Sequence, residues 1–235
     1  MLAENRFSKY LLYAIGEIIL VVIGILIALS INNWNEYRKT IVKERSALTE
    51  IVSDLEYSIN DLKKAKNEDK FSTTKSIDAL KILIKILQNN RNYHDSLGIY
   101  FNVAYSYDEA NFKISGYSSL TSIGMDLIQD DKIRSLIGEF YTSTIPDYEE
   151  AYEEIRLDFH EYILGYLRKD FTQNNIDTGN RLIVPNNFEE LKKDKEYIQS
   201  LKTFLDVKVY YLNKSNIALK QAELLKKRIE NYNND

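Results

Sequence analysis

The residues of this chain that could do chemistry are mainly acids, and one acid lies where charged residues are rare. Glu17 is the single charged residue in an otherwise apolar run from Tyr10 to Ile31. A carboxyl group in such a run is typical of proton or ion sites in membrane proteins. It is also typical of a protonated side chain that hydrogen-bonds to a neighbouring helix, so both interpretations stay open.

A second acidic group surrounds His160. Four acids at helical spacing share one face there: Glu150, Glu154, Asp158 and Glu161. Oxygen ligands of this kind suit weak Ca²⁺ or Mg²⁺ binding, whereas the di-iron pattern Glu-x-x-His fails because position 157 is Leu157. We favour an acidic face that is solvated or paired with Lys and Arg residues of a neighbour, and therefore predict no metal site and no cofactor.

Composition narrows the possible functions further. The chain has 235 residues, no cysteine, 2 histidines and a net charge of -4. These counts exclude disulfides and cysteine-based zinc sites, and they give no general attraction to nucleic acid. The negative net charge therefore predicts no nucleic-acid binding. Because no Gly-rich phosphate loop or nucleophile elbow occurs, we also predict that the protein is not an enzyme.

The apolar run has the length of a membrane-spanning helix. Tyr10 to Ile31 is about 22 residues, or roughly 33 Å of helix, close to the thickness of the hydrocarbon core. We predict a tail over residues 1–9 and a transmembrane helix over residues 10–32. The interface anchors would be Tyr10 and Tyr13 at one end and Trp34 and Tyr37 at the other. A cleaved signal peptide is the alternative, because Ala28-Leu29-Ser30 has small residues at a suitable spacing.

One face of this helix favours contact with another helix. At about 100° per residue, Glu17, Gly24 and Ala28 fall in one stripe with Gly16 at its edge. Small residues four apart let helix backbones approach closely, and a carboxyl group beside them can form an interhelical hydrogen bond. We therefore predict a homo-oligomer or a complex with another membrane protein.

The rest of the chain, residues 33–235, is predicted to be one soluble all-α unit. The apolar register continues from the span into a stalk helix over 33–68, followed by a helix over 73–89. Short helices and loops fill 93–172, and long helices fill 187–232, lying antiparallel along the first helix. The aromatic stretch from Tyr93 to Tyr117 is either core or the lining of a ligand pocket.

Local signals set the helix boundaries in this part. Ser115 and Asp130 are plausible N-caps, and Asn187 with Glu190 forms a capping-box-like start. Pro146 is expected to begin a helix. The stretch from Thr172 to Pro185 has few periodic apolar residues, so we predict a loop there.

Two motifs resemble a known family. The segment YAIGEIILVVIGILIALSINNWNE and, far downstream, ISGYSSLTSIGMDLIQDDKIRSLIGEFY are similar to a family of uncharacterised single-pass membrane proteins of Bacteroidetes-type bacteria. The resemblance covers nearly the whole chain and implies no established activity. It implies a bacterial inner-membrane protein. In that family a longer basic stretch usually precedes the equivalent of Ala3-Glu4-Asn5.

The orientation has opposing signals. The positive-inside rule compares the basic residues on the two sides of the span, which are Arg6 and Lys9 before it and Arg38, Lys39, Lys43 and Arg45 after it. This comparison favours a cytoplasmic C-terminal domain. The basic N-terminus implied by the resemblance favours a periplasmic one, which we adopt. The predicted function is a membrane-anchored, self-associating helical scaffold or sensor in contact with the lipid bilayer. The alternative is an accessory subunit of a transporter, channel or motor that uses Glu17.

Overall fold

The computed structural model of the chain describes residues 4–89, 92, 94, 97–174 and 182–234, and most of them are helical. The predicted all-α class is therefore confirmed, with one long helix at each end of the chain. The chain divides into two compact units, Met1–Ala47 and Leu48–Asp235.

Helix α1 (Glu4–Lys63) begins in the first unit and ends in the second. Its sequence has no proline, and its Leu, Ile and Ala residues are good helix formers, so nothing interrupts the hydrogen-bond ladder. A π-helical turn, Lys64–Glu68, follows directly, and the chain leaves the helical conformation at Asp69, whose ψ is 154°.

In the second unit, α1 turns an apolar stripe toward the core. Leu48, Ile51, Leu55 and Leu62 are buried at steps of three, four and seven residues. Helix α2 (Thr73–Gln88) has a similar apolar stripe that ends with Leu87. Helix α3 (Leu97–Ala104) packs on α2 and is one of the short helices within residues 93–172, while Tyr93 lies outside the described residues.

The long C-terminal helix α9 (Lys195–Asn234) lies antiparallel along the last turns of α1, as predicted. Two ion pairs fix the direction, because they join later residues of α1 to earlier residues of α9. The distances are 3.2 Å from Lys226 to Glu56 and 2.8 Å from Lys63 to Glu223. Both pairs are partly exposed, so they set register more than they stabilise the fold.

The middle of the chain forms one long helical run where short separate helices were predicted. Helix α4 (Ser115–Ile123) precedes it, followed by a 3₁₀ turn at Met125–Leu127. The run itself consists of α5 (Asp131–Glu139), α6 (Ile145–Asp158) and α7 (Leu164–Asp170), joined by π-helical turns at Phe140–Thr144 and Phe159–Ile163.

The π turns change how the helices of this run join and which faces they bury. Pro146 lies in the first turn of α6, as predicted, but α6 continues from α5 through the π turn before it, which widens the backbone where proline has no N–H to donate. The apolar steps of four and three residues from Tyr148 through Ile155 and Phe159 predict Tyr162 on the apolar face, but the second π turn adds a residue to the turn and shifts that face. Tyr162 is consequently 53% exposed, and Ile163 is buried in its place.

The predicted loop from Thr172 to Pro185 contains two short strands. Strands β1 (Phe171–Asn174) and β2 (Leu182–Pro185) pair antiparallel, with Phe171 opposite Pro185. Residues 175–181 lie outside the described residues. A two-stranded sheet is marginal alone, and this one packs against α3. Each strand has four residues, too few to show a period in the sequence.

The C-terminal helices begin at side-chain caps. Asn187 Oδ1 accepts a hydrogen bond from the backbone N–H of Glu190 at 3.2 Å, which confirms the predicted start of α8 (Phe188–Leu191). The chain then turns and starts again, with Asp194 Oδ1 accepting from the N–H of Tyr197 at 2.9 Å in the first turn of α9.

Candidate functional site

The predicted packing face of the first unit lies on α1. Because this segment is α-helical, Glu17, Gly24 and Ala28 share one stripe, and all three are exposed. A Cβ placed on Gly16 or Gly24 would meet no atom within 4 Å. The described part of the chain therefore brings no other element against this face.

The aromatic residues predicted as interface anchors are also exposed: Tyr10, Tyr13, Trp34 and Tyr37. The Arg38 guanidinium lies 5.0 Å from the centre of the Trp34 ring, close enough for a cation–π contact. The ring therefore lies beside a positive charge at the polar end of the apolar run.

A buried acid of the second unit holds the start of α4. Asp54 on α1 accepts hydrogen bonds from Ser115 Oγ at 2.9 Å and from the backbone N–H of Gly116 at 2.6 Å. A carboxylate at a helix N-terminus binds unpaired N–H groups and meets the positive end of the helix dipole. The prediction that Ser115 caps α4 is wrong, because the cap comes from α1 and the cap position is Ile114.

Gly116 allows the two helices to approach this closely. A Cβ on Gly116 would lie 2.9 Å from the backbone C of Glu50 and 2.9 Å from the backbone N of Ile51. Both neighbours are backbone atoms of α1 that cannot rotate away. We call Asp54, Ser115 and Gly116 the α1–α4 clamp.

The downstream motif is a turn between α4 and α5. Gly124 has a φ of 120°, a backbone conformation that residues other than glycine rarely adopt. Asp130 Oδ1 accepts from two backbone N–H groups of α5, at 2.8 and 2.9 Å, which confirms it as the N-cap. Arg134 Nη1 donates to the carbonyl of Ile128 at 3.0 Å and closes the turn. These residues have structural roles.

The core of the second unit contains a charged side chain, Lys208 of α9. Its Nζ donates to Ser76 Oγ at 2.7 Å and to the carbonyl of Ser106, and lies 4.6 Å from the centre of the Phe204 ring. It forms no ion pair with a residue that the structure describes. Burial lowers the pKa of Lys208 to about 7.

A lysine with a low pKa beside a serine hydroxyl is the arrangement that activates serine as a nucleophile. Here both side chains are almost fully buried, and Ser76 Oγ also donates to the carbonyl of Ala104 at 3.0 Å. The hydroxyl and the ammonium together bind carbonyls at the end of α3, where a positive charge is favourable. The contacts of this pair are those of a helix cap.

Buried tyrosines fix the segment that follows α3. Two hydrogen bonds between hydroxyls join them in pairs: Tyr105 with Tyr197, and Tyr148 with Tyr211. Tyr148 also accepts from the N–H of Ala110 at 2.7 Å, and Tyr211 donates to the carbonyl of Asp108 at 2.9 Å. Burial raises the pKa of all four hydroxyls. In the described part of the aromatic stretch, Phe101 and Tyr105 are core residues, in agreement with the simpler of the two interpretations.

The acids around His160 do not converge. Glu150, Glu154 and Glu161 are exposed, whereas Asp158 is buried, and its burial and the charge of Glu161 raise its pKa. Among the residues that the structure describes, no group of three or more His, Cys, Asp or Glu side chains could hold a metal ion.

The chain matches a protein family. DUF6090, a family of unknown function, matches residues 17–144, which is more than half of the chain. The chain belongs to DUF6090. No curated protein and no solved structure matches it.

The DUF6090 match begins at Glu17 and ends at Thr144, so it includes the exposed stripe of α1, the α1–α4 clamp and the turn at Gly124. Lys208 and three of the four paired tyrosines lie beyond the matched residues. Sequence reasoning missed both the clamp and Lys208. Asp54 lies at helical spacing between buried Ile51 and Leu55, and Lys208 falls between Phe204 and Tyr211. The signal in the sequence that could have revealed them was a charged residue at a position where the helical spacing expects an apolar one.

Proposed function

We propose that this DUF6090 protein is a single-pass membrane protein whose N-terminal helix anchors a folded helical unit. One observation supports the proposal above all others. Every Leu, Ile and Val between Leu11 and Ile31 is at least 47% exposed. By length and composition this segment can cross a membrane. A surface of that size in contact with water is strongly unfavourable, so we expect lipid around it.

The energetics favour insertion despite Glu17. Each Leu, Ile or Val contributes roughly -0.3 to -0.6 kcal/mol at the centre of a span, whereas an acid costs about 2.5 to 3.5 kcal/mol. The run holds enough of these residues for their sum to exceed the cost of the acid. A bonded partner for Glu17 would lower that cost further.

A signal sequence near the N-terminus passes the same test of length and composition, so the experiment must separate the two. We expect the full chain to remain in the membrane fraction after washes with alkaline carbonate and to keep its N-terminus. N-terminal sequencing that begins at Ile31, together with release into the soluble fraction, would show a signal sequence. A variant with Leu20→Arg and Val22→Arg should lose membrane retention, while Lys81→Ala should keep it.

For the orientation we propose an inner-membrane anchor with the C-terminal unit in the periplasm. The support for this orientation is the basic N-terminus of the family that the chain resembles. The basic residues that follow the span favour the opposite orientation. Reporter fusions at the C-terminus test the choice. Alkaline phosphatase should be active there and a cytoplasm-dependent fluorescent protein dark, and the reverse result would place the unit in the cytoplasm.

The role that we propose for the anchored unit is that of a scaffold or sensor. The supporting observation is that the groups best suited to chemistry, Lys208 and Ser76, are enclosed and bind backbone carbonyls. The exposed features are helix faces, which suit protein contacts. Extraction in mild detergent followed by native mass spectrometry tests this role, because a homo-oligomer is the expected species.

The second candidate is an accessory subunit of a transporter, channel or motor. The observation that favours it is Glu17, an exposed acid within the apolar run that the described part of the chain leaves without a partner. In that case the same extraction should yield a complex with a different membrane protein. Glu17 would then carry protons or ions within that complex.

A further inference from the structure

An apolar groove runs between α5 and the C-terminal half of α9 in the folded unit. Two adjoining cavities of about 380 and 360 Å³ share Leu136 and Leu224 in their walls. Ile217 is 48% exposed and Leu224 is 53% exposed, whereas the next residue of α9 after each of them is buried. Large aliphatic side chains repeated seven residues apart on an exposed helix face are typical of a contact with another helix.

The edges of this groove carry three lysines and one acid, Glu139. Lys220 and Lys227 alternate with Ile217 and Leu224 along α9, and Lys132 lies on the opposite edge. These three lysines form no ion pair within 4 Å in the described part of the chain. We call Leu136, Ile217, Leu224 and the three lysines the basic groove. Its chemistry fits a helix with acidic and aliphatic residues on one face.

The same unit presents such a helix face on α6 and the π turn that follows. Glu150, Glu154, Leu157 and Glu161 form an exposed stripe at steps of four, three and four residues. Leu157 is 47% exposed, and the three acids form no ion pair within 4 Å among the described residues. We call these four residues the acidic stripe.

We infer that the acidic stripe of one copy of this chain docks in the basic groove of a second copy. Leu157 would enter the apolar space between Ile217 and Leu224. Glu154 and Glu161, on either side of Leu157, would then meet Lys220 and Lys227. Residues three and four apart lie on one helix face, so the two patterns match in spacing as well as in charge.

Charge also decides against the symmetric arrangement. If two basic grooves faced each other, Lys220 and Lys227 of both copies would be brought together, and like charges in contact are unfavourable. A contact between two different surfaces is heterologous, so it closes into a ring or continues as an array.

The inference rests on the proposed membrane anchor in one respect. The interface has few apolar residues and exposed ion pairs, so its affinity in free solution should be low. Anchoring confines the copies to one plane and raises their effective concentration, as a short linker does. All copies would also point the same way, which is the orientation that a ring about the membrane normal requires.

The absence of cysteine from the chain permits a direct test by cross-linking. Full-length Leu157→Cys and Leu224→Cys variants are produced together in one membrane and treated with a short bismaleimide. We expect a cross-linked dimer in the mixture and none with either variant alone. Thr203→Cys, exposed elsewhere on α9, replaces Leu224→Cys as the matched control and should give no product with Leu157→Cys.

Charge reversal tests the pairing itself. Adding Lys220→Glu and Lys227→Glu to the Leu224→Cys chain should lower the yield of cross-linked dimer at least about fivefold. Adding Glu154→Lys and Glu161→Lys to the Leu157→Cys chain should restore it. Reversals without restoration, or a Leu224→Cys product that forms with itself, would overturn the heterologous arrangement.

Two further outcomes separate this inference from the proposed anchor. If the chain stays in the membrane fraction and Leu224→Cys links only to a different protein or to nothing, the contact between copies is wrong and the anchor stands. If the chain is released as soluble protein, the anchor is wrong. The same cysteine pair is then tested at high concentration in solution, where specific cross-linking supports the contact and its absence rejects it.

Discussion

Two regions of this protein each place one charge among apolar residues, and they treat it in opposite ways. In the folded unit, Lys208 is enclosed, and its ammonium group donates hydrogen bonds to Ser76 Oγ and the Ser106 carbonyl and makes a cation–π contact with the Phe204 ring. In the N-terminal helix, Glu17 is exposed on a stripe with small residues, and no other described element packs against that stripe. The first charge is satisfied within the chain, and the second is not.

The difference shows where interactions with other molecules should be sought. A buried charge with internal partners acts on the stability of its own fold. An acid on an exposed apolar helix needs a partner from outside the chain. That partner is water at the lipid headgroups, a second helix or an ion. Changes at Lys208 should therefore alter unfolding, and changes at Glu17 should alter assembly.

The largest expected effect is the pH dependence of stability caused by Lys208. Its pKa is lowered to about 7 in the folded chain, so between pH 7 and about 9.5 the unfolded state binds more protons than the folded state. Stability must then rise with pH, by about 3 kcal/mol over this window. Urea unfolding of the full chain in mild detergent, followed by circular dichroism, measures it.

Two variants test the assignment of this slope. Lys208→Met should flatten it, because the group that titrates has gone, and should leave the protein more stable at pH 7. Lys81→Met removes an exposed lysine of α2 and should keep the slope of the wild type. Above about pH 10 the buried tyrosines, whose pKa values are raised, should reverse the trend. An unchanged slope in Lys208→Met would rule out Lys208 as its source.

The next effect contrasts glycines of the two regions. Gly116→Ala should lower the free energy of unfolding by about 2 kcal/mol, because its Cβ would overlap backbone atoms of α1 and open the α1–α4 clamp. Gly24→Ala should leave unfolding unchanged, since nothing lies within 4 Å. Gly138→Ala, equally open but inside α5, should stabilise the chain by about 0.5 kcal/mol. Equal losses at Gly116 and Gly138 would contradict the clamp.

The sequence predicted the helices because apolar periodicity decides them, and it placed the long terminal helices and the caps at Asp130 and Asn187. It placed Pro146 correctly at the start of a helix, but it missed that α6 continues from α5 and it put Tyr162 on the wrong face, for one shared reason. A π turn is stabilised by the packing around it, and it changes the register by one residue without any local sequence signal. The strand pair was missed because four-residue strands have too few residues to show a period.

The candidate sites were predictable only where one helix contains the whole pattern. The stripe of Glu17, Gly24 and Ala28 follows from helical geometry alone. The α1–α4 clamp joins Asp54 to residues about 60 positions later in the chain, and Lys208 meets Ser76 across a larger separation. Such contacts depend on the tertiary fold, so no local spacing could predict them.

The smallest expected effect concerns the exposed stripe of α1, and it separates the two proposed roles. If the stripe is a contact between copies, Gly24→Leu should weaken self-association by filling the close-approach surface, while Val22→Leu on the opposite side should not. Glu17→Gln should preserve assembly because an amide still hydrogen-bonds in lipid, and Glu17→Leu should lose about 1 kcal/mol of association.

If the protein is instead an accessory subunit, Glu17→Gln should assemble normally but lose ion-dependent activity, because an amide cannot exchange a proton. A two-hybrid assay in membranes compares the four variants, and wild-type association of Gly24→Leu would exclude this stripe as a homo-oligomer contact.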